Sequence, residues 1–193
     1  MARLAAPYGF RPVRSLSSGG YASGITRPYT MTASYGTSIF YGDLVTVVQA
    51  GTLEKYTVTT AGNPVGVFLG CEYTDPTLNY KLHSNMWLAS TAATATAMVV
   101  DDPHMIFQVQ ASTTIPQTSM FLNIDVVQTA GNTAIGMSKV ALDGANVSDS
   151  VTTKTCRIIG FATGSDSAVG DEYTDCLVIL NPNDHRMITA AGV

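Results

Sequence analysis

From Ile25 onward the chain is a succession of short β-branched and aromatic runs, each closed within a few residues by Gly, Pro, Asn or Asp. That punctuation leaves no stretch with the apolar period of an amphipathic helix, no coiled-coil heptad and no repeat of fixed length. It forces the chain toward strands. ITRPYTMTA, SIFYGDLVTVVQ and the strand inside AGTLEKYTVTTAGNP read as a meander. NPVGVFLGCEYTDP is apolar from Val65 to Leu69, a strand buried on both faces, with Gly66 and Gly70 allowing close backbone approach or a bulge. STAATATAMVV balances alanine against threonine and valine, and is assigned to a strand.

The second half is read the same way. In IFQVQA, Phe107, Val109 and Ala111 alternate with Gln108 and Gln110, so one side is expected to be wet or at an interface. FLNIDVVQ alternates likewise, and the two are expected to pair as a hairpin across TTIPQTS. Residues 135–149 read as loop, while TKTCRIIGFAT and DCLVILNP supply two more strands, the last apolar enough to be central. The expected fold is all-β, an antiparallel β-sandwich or a jelly-roll or tulip-like barrel with an extended N-terminal arm.

Charge divides the chain in two. The first 27 residues hold four arginines and no acid, leaving six basic against fourteen acidic residues, a net of −8, in the remainder. Residues 1–30 are therefore read as a basic docking arm too broken by Gly, Pro and Ser to form a layer of its own, and 31–193 as one β-rich domain. Arg3, Arg11, Arg14 and Arg27 stand near Tyr8, Phe10, Val13 and Tyr21, a strip suited to pairing with carboxylates and burying rings in shallow pockets. Four charges in so long an arm are sparse for RNA, and the acidic body disfavours nucleic acid as a partner. Only 12% of residues are charged, so much of the surface is hydroxyl, amide or interface.

Reactive motifs are missing from the text of the chain. Asp101, Asp102 and His104 precede or flank a proline and are explained by a turn between strands, His83 stands alone, and His185 is placed in a solvated turn. No GxSxG elbow or phosphate-binding glycine loop occurs. Cys71, Cys156 and Cys176 lack CxxC spacing and read as buried free thiols. The expectation is a non-enzyme with no cofactor, no metal, no small-molecule substrate and no membrane association, since no apolar stretch spans a bilayer and no secretory h-region is present.

Four phrases, APYGFRPV, SIFYGDLV, NPVGVFLGCEYTDP and DDPHMIFQVQA, in that order over positions 6–111, resemble small structural proteins of tailed-bacteriophage virions, of the head decoration or cement type. The resemblance implies a protein made in the host cytoplasm that binds the outer surface of the capsid. There it would clamp neighbouring major capsid protein subunits against DNA pressure, often as a homotrimer, with an N-terminal segment reaching onto the coat. It implies no catalytic residue. The alternative within the same class is a tail, fibre or receptor-facing virion component.

Overall fold

The structure, a computed structural model, describes residues 4–17, 26–58, 63–89, 91–149, 154–164, 167–181 and 185. Among these, the strands in chain order are β1 (Arg11–Ser15), β2 (Thr26–Met31), β3 (Ile39–Phe40), β4 (Leu44–Val47), β5 (Leu53–Lys55), β6 (Gly66–Thr74) and β7 (Lys81–Ser84). They continue with β8 (Met86–Trp87), β9 (Ala95–Val100), β10 (Met105–Gln110), β11 (Asn123–Val127), β12 (Ala141–Ser148), β13 (Cys156–Phe161) and β14 (Asp175–Leu180). Among the described residues the single helical element is one 3-10 turn at Gln117–Ser119, and no described helix is long and apolar enough to cross a membrane.

Two antiparallel sheets form a sandwich. Sheet A runs β1-β10-β14-β13-β11-β12, and sheet B runs β2-β9-β6-β4-β5 with β7 added to β6. The core between them is built from the inward residues of sheet A, among them Phe107, Val109, Ile124, Ile158 and Val178, against Leu44, Val67 and Val100 of sheet B. The opposite face of sheet B is also buried: Val45, Phe68, Ala97 and Val99 pack against Ile39 and Trp87 of the small β3-β8 ribbon. Sheet B is therefore a middle layer, which is why β6 reads as apolar on both faces.

Glycines fix how the layers cross. A Cβ on Gly66 would stand 2.1 Å from the Val100 carbonyl oxygen, so β6 approaches the end of β9 as only glycine permits. Gly9 and Gly42, both at positive φ, face each other: a Cβ on Gly9 would meet the Gly42 oxygen at 2.6 Å, and Phe10 N–H donates to that oxygen. The phrases APYGFRPV and SIFYGDLV thus meet at one crossing, and NPVGVFLG meets the start of DDPH at the other.

Several expectations are corrected. Residues 4–17 and 26–31 are not an arm separable from a body that starts at 31, because β1 is the edge of sheet A on β10 and β2 the edge of sheet B on β9. The Gly and Pro breaks did prevent an independent layer, and what the segment lies on is its own domain. β10 and β11 form no hairpin: β14 and β13 stand between them. Residues 141–148 are strand β12 rather than loop, held to β11 across a bulge between Ile124 and Val126. His185 is fully buried, facing Asp101, Asp102 and His104, rather than in a solvated turn. The Asp101–His104 turn itself is as expected, with His104 N–H donating to Asp102 Oδ1 at 2.8 Å.

Candidate docking surface

The arginine-bearing segment enters the fold at Phe10, whose ring is fully buried between the sheets and meets Phe107 edge-on at 5.8 Å. Phe10 is a core residue and has no surface to offer a partner, which corrects its reading as a docking side chain. Upstream of it, residues 4–8 run across the outward side of sheet A. Ala6 N–H donates to Gln110 Oε1 at 2.8 Å, and the Tyr8 hydroxyl donates to Asp175 Oδ1 at 3.0 Å while Gln108 Nε2 donates to Oδ2 at 3.3 Å. The glutamines expected to be wet are thus anchors for the N-terminus, and Gln110 is buried. Burial, reinforced by the neighbouring Asp175 charge, pushes the Tyr8 phenol above its usual range and keeps it a donor.

Tyr8 in turn carries Arg11, whose guanidinium lies over the ring at 4.8 Å from its centroid. On a regular strand, residues 11 and 14 would point to opposite faces, being an odd number of positions apart. Here the register pairs Arg11 with Gln108 and Arg14 with Ile106, skipping Val13 in a bulge, and Gln108 and Ile106 share one face of β10. The bulge therefore sets both arginines on the outward face, with Pro12 and the buried Ser15 opposite Phe107 and Met105 on the core side. Both arginines are exposed and Val13 is half-buried. Neither arginine forms an ion pair with a described residue.

Arg27 differs. Its Nε stands 3.5 Å from Asp101 Oδ2, which also accepts from the Tyr29 hydroxyl at 2.7 Å, so this cation is committed to its own domain although its side chain is 63% exposed. Ser15 Oγ donates to Asp102 Oδ2 at 2.7 Å, so both edge strands are clasped by the same β9–β10 turn. Arg3 and Tyr21 lie outside the described residues. Leu4, 82% exposed, and Leu16 add apolar surface at either end of the strip, two residues whose importance no local pattern in the sequence marked.

Other chemistry is poorly placed. Asp43 is fully buried and accepts from Lys55 Nζ at 2.7 Å, Phe40 N–H at 3.0 Å and Ser138 Oγ at 2.6 Å. With Ser138 also buried, this Ser–Asp–Lys cluster ties three segments together and offers no approach to a substrate. A groove of about 480 Å³ lined by Thr37, Ser38, Phe40, Gln128 and Thr129 has Lys55 as its one ionisable group among the described residues, already paired with Asp43. Burial pushes the Cys71 thiol up to about 11 and Cys176, beside Asp175, to about 12, which leaves both as protonated thiols. No group of three or more His, Cys, Asp or Glu side chains among the described residues is placed to hold a metal.

Comparison with protein-family models, curated proteins and solved structures finds no match to this chain. The feature that stands out is the surface itself: two exposed arginines on one face of an edge strand, without an ion pair among the described residues, in a chain that is otherwise acidic.

Proposed function

We propose that the protein is a structural, non-catalytic component of a tailed-phage virion that binds the outer surface of the head. There it bridges adjacent major capsid protein subunits and stabilises the shell. The observation that carries this reading is the pair Arg11 and Arg14, exposed on one face, free of internal ion pairs among the described residues and held by a strand rooted in the core. Four sequence phrases that resemble head decoration proteins support it, and two of them supply this strand and the crossing that anchors it. A clamp that binds only assembled coat subunits shifts the assembly equilibrium by mass action, and association of copies into a trimer adds avidity.

The test is co-sedimentation of the full chain with bare mature heads, for the wild type and for Arg11→Glu/Arg14→Glu, followed by heating of the decorated shells. Saturable binding that raises shell resistance and is weakened by the double substitution supports the reading. If neither protein binds heads, the assignment to the capsid surface is wrong.

A further inference from the structure

We infer that the β1 face recognises a pair of carboxylates presented about 7 Å apart on one side of an extended protein segment, Asp or Glu two residues apart on a strand. This deepens the docking reading above and rests on the same two arginines, but it specifies what they bind. The spacing comes from the register: Arg11 and Arg14 stand opposite Gln108 and Ile106, two residues apart on a regular strand, hence about 7 Å at roughly 3.4 Å per residue. Acidic side chains two apart on a partner strand repeat that spacing on one face, whereas acids one apart point to opposite sides.

Four further observations narrow the partner. The Arg11 guanidinium carbon lies over the Tyr8 ring at 4.8 Å from its centroid, which holds the head group in place on an exposed side chain whose N–H fork can take a carboxylate through two parallel hydrogen bonds. Tyr8 is itself fixed by Asp175, so the guanidinium is positioned before any partner arrives. Backbone strand addition at this edge is hindered by Pro12, which lacks an N–H, and by the bulge at Val13, so recognition falls to side chains. Against a polyanion such as DNA stands the net −8 of the chain beyond its first 27 residues, which repels an extended phosphate backbone while tolerating two local carboxylates.

The experiment uses the full chain and labelled, disulfide-closed β-hairpin peptides in fluorescence anisotropy at low salt. One hairpin carries two Asp at i and i+2 on one face, a second carries them at i and i+1 on opposite faces, and a third has Asn at i and i+2. A labelled DNA oligonucleotide and a labelled copy of the chain complete the set. The same-face acidic hairpin is expected to bind best, the opposite-face hairpin at least about fivefold more weakly, and the Asn hairpin not measurably. Arg11→Glu and Arg14→Glu are each expected to lower affinity about tenfold.

Equal binding of the two acidic hairpins, tighter binding of the DNA or of a second copy, or binding by no hairpin would each overturn the inference. Hairpin binding with no attachment to heads would sink the capsid assignment and leave the recognition rule standing. Attachment to heads undiminished by both substitutions would do the reverse.

Discussion

Replacing Phe10 with Ala separates an N-terminus that belongs to the core from one that merely docks elsewhere. The ring is fully buried in the inter-sheet core, edge-on to Phe107, and its own N–H bonds the Gly42 carbonyl, so the backbone around it cannot slide to fill the space left. Truncating such a phenylalanine costs about 3–5 kcal/mol, the lost transfer of the ring plus the cavity that remains. In a domain of this size each kcal/mol lowers Tm by about 2–4 °C, so a fall of roughly 6–20 °C is expected.

The assay is thermal unfolding for the Tm, with urea unfolding beside it, both followed by the fluorescence of the sole tryptophan, Trp87, which sits in the other core beyond sheet B. A lowered midpoint seen from that distance, with unchanged slope, shows that the N-terminal segment and the far layer unfold as one unit. Leu4→Ala, at a site 82% exposed, is the control and is expected within about 0.5 kcal/mol of wild type. If Phe10→Ala moves the midpoint no more than Leu4→Ala does, the placement of this segment in the core is wrong. The same reasoning makes deletion of residues 1–27 an unsuitable test of docking, because it removes β1, Phe10 and the first residues of β2 together with the arginines.

Two further outcomes are expected. His185 is buried opposite Asp101, Asp102 and His104, and desolvation lowers its pKa to about 4 from an unfolded value near 6.5. The native state therefore takes up this proton later than the unfolded one on acidification: the associated stability is complete above about pH 6.5, falls through the window down to pH 4, and is flat below it, a total of about 3 kcal/mol. Urea midpoints against pH should show that decline in the wild type and lack it in His185→Gln, while parallel curves would refute the assignment. Gly66→Ala drives a methyl into the Val100 carbonyl and should cost at least about 2 kcal/mol by the same unfolding assay. A neutral result would mean that β6 and β9 do not approach as described.

Much of the strand inventory was legible because its signals are local. The Phe107, Val109 and Ala111 alternation, the apolar run at Val65–Leu69 and the CLVIL stretch of β14 each declared a strand, and β14 is central as its composition implied. β12 was illegible because ALDGANVS carries Asp, Gly and Asn, residues of poor strand propensity that pairing with β11 overrides. The false hairpin came from adjacency in the chain, which does not dictate adjacency in the sheet when a later strand inserts between two earlier ones. The strip of arginines was visible, but its geometry was not: that Arg11 and Arg14 share a face depends on a bulge set by the register with β10. Phe10 reads as a docking group in the sequence and is a core residue in the fold, because a ring bound for a partner and a ring bound for the chain's own core look identical in sequence.

The position of β14 also sets a timetable for biosynthesis. β14 joins β10 to β13, so until residues 175–180 have emerged from the ribosome sheet A exists only as two pieces, β1-β10 and β13-β11-β12, linked by no ladder but only by the bridge of Ala111 to Leu142 just past the end of β10. The apolar edge of β10 therefore stays open while the residues from 110 to 180 are added, roughly 4–14 s at about 5–20 residues per second. Its closing step pairs segments synthesised far apart, which is intrinsically slow. Chaperone dependence and the yield of soluble protein should accordingly respond most sharply to substitutions in this late strand.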